Sequence, residues 1–281
     1  MTKTRPFNQN TGTGWQARLE LGFARRGPRS VLAYRRQRGP LCVQRPFYPE
    51  GGTCHLYLLH PPGGVVGGDR LEFEVHCEAG AEALITTPGA SKFYRSAGPG
   101  AVQTQTLRVA SDGALEWLPQ ENIFFPGARV GLHTRIEIEA GGRFLGWEIH
   151  CLGRPANREP FSAGQLNARL ELYALGIPLL LERLRIEDDR DLGLAAGLRG
   201  FPVVATLLAT PADGVHLDLA RACLPETSQG FSGATLVDGL LVVRHLSPST
   251  EQARRAQVRV WSALRPTLLG REPCPPRIWA T

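Results

Sequence analysis

Apolar and polar residues alternate with a period of two along much of this chain. Leu71, Phe73, Val75 and Cys77 are separated by Glu72, Glu74 and His76, so an extended strand places the first set on one face and the charges on the other. The pattern returns at Val130, Leu132, Thr134, Ile136 and Ile138, and again at Leu166, Ala168, Leu170 and Leu172, with shorter versions over residues 19–23, 102–109 and 215–219. Turn signals separate these runs: Gly67-Gly68-Asp69, Pro88-Gly89, Asp112-Gly113, Gly141-Gly142 and Asp213-Gly214, with Asp238-Gly239 predicting a hairpin over residues 236–243. One segment changes period. Ala253, Ala256, Val260, Trp261 and Leu264 share a helical face behind Ser249 and Thr250 as candidate N-caps, and Pro266 is expected to end or kink that helix. Residues 191–200 predict a short second helix weakened by three glycines. The pattern predicts an all-β, multi-stranded fold, mainly antiparallel with a β-helix-like winding as a variant, and a C-terminal amphipathic helix.

Length and composition narrow this picture. A chain of 281 residues buries enough surface to need neither disulfides nor a structural metal. With 32 glycines and 22 prolines it is turn-rich but below the range of low-complexity chains. The first residues are polar with no apolar signal region, and no run of about 18 apolar residues exists. The expectation is a cytoplasmic protein without a membrane span. Six cysteines stand at 42, 54, 77, 151, 223 and 274, with no C-x-x-C pair for zinc or redox chemistry, and are expected to be free thiols. The formal charge of +6 is unevenly spread. Residues 1–45 hold ten Lys/Arg against Glu20 alone, a net +9, which leaves −3 for residues 46–281. No recognisable nucleic-acid module accompanies this excess. It reads either as a solvated surface or as a contact for an acidic protein partner.

Catalytic signatures are missing. Residues 63–69 read G-G-V-V-G-G-D, without the Lys-Ser/Thr that a phosphate loop needs, so this chain is not expected to hydrolyse a nucleotide. Neither G-x-S-x-G nor H-E-x-x-H occurs. Cys54-His55, His76-Cys77 and His150-Cys151 pair soft ligands, with His60 nearby in sequence. On a strand, adjacent side chains point to opposite faces, so each pair reads as a buried Cys beside an exposed His. Three carboxylates stand out. Asp69 sits in a glycine-rich turn, Glu148 follows Trp147, and Glu182 interrupts Leu179-Leu180-Leu181, facing either solvent or a paired polar interior.

Several blocks of sequence then fall into a known order. Residues 43–51 (VQRPFYPEG), 59–64 (LHPPGG), 67–69 (GGD), 87–96 (TPGASKFYRS) and 115–121 (LEWLPQE) resemble the urease accessory protein family UreD, also called UreH. The likeness continues through residues 146–149 (GWEI), 151–156 (CLGRPA), 180–184 (LLERL), 261–266 (WSALRP) and 276–281 (PRIWAT). It departs at Asn157-Arg158, where the family usually has a glycine before the acid, and at residues 245–248 (HLSP), where a Tyr-Leu-Gly-Asp type run is common. The resemblance covers residues 15–281, taken as one domain behind a polar tail over residues 1–14.

The resemblance implies a non-enzymatic urease maturation factor. Such a scaffold or chaperone binds the apo-urease subunits and, through UreF, recruits the GTPase UreG; UreE supplies nickel, and GTP is bound by UreG. It further implies that Ni²⁺ passes transiently through an internal water-filled channel with no tightly bound cofactor and no catalytic residue. Asp69 and Glu182, then His60 and Glu148, are the expected transit residues. Two rival readings keep other roles open: a docking platform without nickel conduction, and a metal-dependent hydrolase, for which the ligand spacing is absent.

Overall fold

The computed structural model describes residues 14–224 and 230–280, so the predicted tail over residues 1–14 lies outside them except for Gly14. The chain opens with β1 (Gln16–Arg26), β2 (Arg29–Arg38), β3 (Cys42–Val43), β4 (Cys54–Leu59), β5 (Arg70–Cys77) and β6 (Glu82–Thr86). It continues through β7 (Ser91–Phe93), β8 (Ala101–Val109), β9 (Ala114–Leu118), β10 (Asn122–Phe124), β11 (Arg129–Ile138) and β12 (Arg143–Arg154). Next come β13 (Glu159–Pro160), β14 (Gln165–Ala174), β15 (Ile177–Ile186), α1 (Asp189–Leu192), β16 (Val203–Thr210) and α2 (Gly214–Cys223). The last elements are β17 (Phe231–Val237), β18 (Leu240–Ser247) and α3 (Thr250–Leu269).

The strands form two sheets. One has seven strands in the order β15-β14-β11-β8-β5-β1-β2, and the other has eleven, with the path β17-β18-β16-β12-β9-β6-β4-β3. From β4 to β14 the chain winds as a solenoid: β5, β8, β11 and β14 stack side by side in the first sheet while β4, β6, β9 and β12 stack in the second. All these neighbours are parallel. Antiparallel pairs close the ends, through β1 with β2, β14 with β15, and the β12-β16-β18-β17 run.

The all-β class, the β-helix-like winding and the C-terminal helix agree with the sequence pattern, whereas strand direction is mixed rather than mainly antiparallel. Short turns usually join antiparallel neighbours, because parallel strands in one sheet need a long crossover. Here the crossover is a strand of the opposite sheet. The Asp112-Gly113 and Gly141-Gly142 turns are corners from one sheet to the other, stacked by hydrogen bonds from Gly80 N–H to Ser111 O and from Asp112 N–H to Ala140 O. Gly141 is at φ 71°, and a Cβ there would meet the Asp112 carboxylate at 2.1 Å. Glycine suits that corner, because a side chain at this φ is strained.

Three local expectations change. Residues 215–219 are helical, inside α2: Asp213 Oδ1 accepts the His216 N–H at 3.2 Å as N-cap, and the buried His216 and Ala220 lie four apart. A five-residue alternation fits one helical turn and a half as well as a strand. The helix expected over residues 191–200 shrinks to α1 and turns, consistent with its glycines. Pro266 lies inside α3, which runs on to Leu269 and ends at Gly270, φ 67°. The 236–243 hairpin forms as expected, with Asp238 at φ 48° and Gly239 at φ 78° between β17 and β18.

Two cores result. Leu19, Leu21, Leu71, Leu107, Leu132, Leu115 and Phe144 pack between the sheets. On the far side of the eleven-stranded sheet, Leu145, Trp147, Ile149, Ala205 and Leu207 pack against Val260, Trp261 and Leu264 of α3. A polar set fixes that helix. Arg265, fully buried, bonds Glu116 through Nε (3.0 Å) and Nη2 (2.9 Å) and Glu50 through Nη2 (2.5 Å), while the Trp261 indole donates to Glu116 at 2.6 Å.

Candidate functional site

The space between the sheets is not filled evenly. On β8, Gln103 and Gln105 occupy the inward register otherwise held by Ala101, Leu107 and Val109. On β11, Thr134 takes the place between Leu132 and Ile136, and on β12 the inward positions include Gly146, Glu148 and His150. These polar and small residues leave two cavities. The first, about 430 Å³, is lined by His60, Gln103, Gln105, Trp117, Asn122 and Glu148 among others. The second, about 400 Å³, is lined by Glu148, His150, Ala168, Thr206, Glu182 and Arg244 among others. Glu148 borders both.

A chain of polar contacts runs through this junction. Asn122 Nδ2 lies 3.5 Å from His150 Nδ1, and His150 Nε2 lies 3.4 Å from Glu148 Oε2. The Thr134 hydroxyl donates to Glu148 Oε1 and accepts from Gln105 Nε2 at 3.2 Å. Such a chain holds the partly buried Glu148 carboxylate in place with no Arg or Lys paired to it among the described residues. Two lining residues each carry a buried polar atom with no hydrogen-bond partner among the described residues: the Trp117 indole N–H and Nε2 of His60. With Gln103, Gln105, Asn122 and Glu148 on its wall, the first cavity suits water or a polar guest rather than apolar filler. Burial pushes the His60 imidazole below its ordinary pKa, opposed by the charge of Asp69.

The expected transit residues separate. Glu148 sits at the junction, His60 lines the first cavity, and Glu182 lines the second, reaching across from β15 to Arg244 on β18. Asp69 borders neither cavity. It is 1% exposed and both its oxygens accept backbone donors, Oδ1 from Trp15 N–H at 2.8 Å and Oδ2 from Val66 N–H at 2.9 Å. It ties the start of β1 to the glycine-rich turn. Glu182 faces inward because β14 pairs Leu170 with it.

The three Cys-His pairs split across opposite faces, yet their histidines are not all exposed. His55 is buried on the helix side of its sheet, with Nε2 2.5 Å from Glu50 Oε1, and His150 is buried at the cavity junction. The eleven-stranded sheet is covered on both sides, so neither face of its inner strands meets solvent. Among the described residues, no three His, Cys, Asp or Glu side chains converge to hold a metal ion. Burial pushes the Cys54 thiol up to about 11 and Cys77 and Cys151 to about 12. All six cysteines are free.

Sequence reasoning did not single out Gln103, Gln105, Thr134 or Asn122. A usable signal existed for the first three: each is a polar residue in the inward register of an otherwise apolar strand. At the departure from the family pattern, Arg158 takes φ 59°, a left-handed conformation that favours glycine, before Glu159 pairs with Arg154 at 3.1 Å.

No helix among the described residues is long and apolar enough to cross a membrane. Residues 16–280 match the family model described as UreD urease accessory protein. The chain is 51% identical over 268 residues to the urease accessory protein UreD of Pseudomonas entomophila strain L48, covering 95% of each chain. It is 49% identical over 268 residues to that of Klebsiella aerogenes, covering 95% of this chain and 97% of the relative. The same order of strands, turns and inward polar residues thus sits in a sequence matched almost end to end, and the chain belongs to the UreD family of urease accessory proteins.

Proposed function

We propose that this chain delivers nickel to apo-urease, acting with UreF and the GTPase UreG, by passing Ni²⁺ through the space between its two sheets. The observation that carries this reading is the Glu148 carboxylate, which borders both cavities and is held by Thr134 beside His150. An ion in transit needs ligands that bind weakly and in sequence. Carboxylate, imidazole and amide oxygens do this, whereas a full Cys/His cage would trap nickel, which binds tightly among first-row divalent ions. The high pKa values of the buried Cys54 and Cys77 keep those thiols protonated and poor competitors.

In this reading His60 serves one end of the path and Glu182 the other. Phe231, an exposed residue of the second cavity's lining, supplies apolar area for a partner there. Nucleotide chemistry falls to UreG, UreE is the nickel donor, and the protein works in the cytoplasm with no cofactor of its own. Asp69 acts on the path only by holding the turn near His60.

The test co-expresses Glu148→Gln and Glu148→Ala with UreF, UreG and the urease subunits. Complex assembly is read by co-purification and nickel per urease by elemental analysis. The expected result is intact assembly with reduced nickel. Unchanged nickel in both variants removes the path, and loss of nickel only alongside loss of assembly leaves a docking platform.

A further inference from the structure

The net positive charge of the first 45 residues finds no use in the cavities. Its described part collects at one edge of the seven-stranded sheet, where β2 has no pairing strand on its outer side among the described residues. The first half of β2 is partly covered, since Ser30 N–H donates to Gly52 O at 2.8 Å. The second half is bare: residues 33–39 are all exposed. Register against β1 puts Arg35 opposite Leu21 and Gln37 opposite Leu19 on the core-facing side, with Arg36 opposite Glu20 and Arg38 opposite Arg18 on the outer side. Both faces of this one edge therefore carry guanidinium groups. Arg36 reaches Glu20 at 3.5 Å, while Arg35 and Arg38 have no carboxylate partner among the described residues. Arg36 also lies over the exposed Tyr34 ring, 5.8 Å from its centroid.

We infer that residues 34–38 form a docking edge for an acidic, extended polypeptide segment, which adds to the seven-stranded sheet as a further strand. A bare edge offers a row of unpaired N–H and C=O groups. Arginines on both faces select a guest with Asp or Glu at successive positions, and five residues of strand span about 17 Å. Other occupants fit less well. Residues 1–13 carry Lys3 and Arg5 and no acid, and a second copy would set like charges against each other. A nucleic-acid duplex or a membrane surface needs a broad basic face, but Glu20, Glu72 and Glu74 lie beside this edge, gathered around Arg18. A single strand covers the edge and leaves them outside.

The test uses the full chain and a fluorescein-labelled eight-residue peptide of Glu with interspersed Val, read by fluorescence anisotropy at low and moderate salt. A second peptide of equal charge has alternate amides N-methylated, which blocks strand pairing. The expected results are binding of the first peptide, at least fivefold weaker binding of the methylated one, and at least tenfold weaker binding by Arg35→Glu/Arg36→Glu/Arg38→Glu. The neutral Arg35→Gln/Arg36→Gln/Arg38→Gln chain should fall between, and the exposed positions leave folding intact. Equal binding of both peptides would reduce the edge to a non-specific field. Tighter binding of a 20-base-pair duplex or of phosphatidylserine vesicles, or absence of peptide binding, would also overturn the assignment; absence of peptide binding together with self-association of the neutral chain would mark the arginines as guards against edge-to-edge pairing.

Discussion

Replacing Arg265 by Ala separates two accounts of what holds α3 on the sheet. The guanidinium is fully buried, bonds Glu116 through two nitrogens and Glu50 through one, and donates from Nη1 to the backbone of Glu272. Removing it leaves Glu116, 2% exposed, as a buried charge with only the Trp261 indole for company. Breaking a buried pair in this way costs about 3–5 kcal/mol, a large part of the roughly 5–15 kcal/mol that holds a typical fold together. In urea this lowers the midpoint by about 1 M or more.

The double substitution Arg265→Met/Glu116→Leu should recover part of that loss, because the buried Glu116 charge is gone and apolar volume takes its place; Glu50 is left with His55 alone, and the unbonded Trp261 N–H retains a cost of about 1 kcal/mol. A single variant within 1 kcal/mol of the parent, or a double variant less stable than the single, refutes the reasoning. The same network sets an acid limit. Burial raises the Glu50 pKa, but hydrogen bonds from His55 and Arg265 and the Arg265 charge outweigh it and bring it to about 2. A depressed carboxylate stabilises the fold above its unfolded value near 4.5 and loses that contribution as pH falls toward 2, so the urea midpoint should drop across that window.

Asp69→Ala should lower stability by about 1–3 kcal/mol, since the Trp15 and Val66 N–H groups lose their acceptor. Nickel loading of urease should fall no further than the folded fraction does; a stable variant that fails to load nickel would put Asp69 on the path. Glu182→Ala should change stability by less than about 1 kcal/mol, as its pair with Arg244 is partly exposed, so any fall in nickel loading reports on transit or docking. Iodoacetamide at pH 8 should leave Cys54, Cys77 and Cys151 unmodified in the native protein and label them in urea, because burial raises all three thiols. Labelling of any of the three under native conditions contradicts the packing described.

Alternation alone located β1, β5, β8, β11 and β14, because each shows one face to the inter-sheet core and the other to solvent. It did not locate β4, β9, β12 or β16. The sheet containing them is packed on both sides, so Leu145, Trp147 and Ile149 under α3 are as buried as Phe144 and Leu152 opposite, and the period disappears. The same cause hid His55 and His150, whose exposure was inferred from an alternation that this sheet does not obey. Asp112-Gly113 and Gly141-Gly142 announced turns correctly but not which strands they join, since a short turn reads alike whether it makes a hairpin or a corner between two sheets.

The sequence by itself determined the all-β class, the final helix, the uneven charge and the family, because those depend on local pattern and on ordered blocks of residues. Only the tertiary structure decided that the strands wind in parallel coils, that Glu148 borders both cavities, and that Asp69 is spent on backbone donors. Those outcomes depend on which distant residues meet across the gap between sheets. Residues 105, 134 and 148 touch only after the solenoid has closed, and no pattern within a single strand records that meeting.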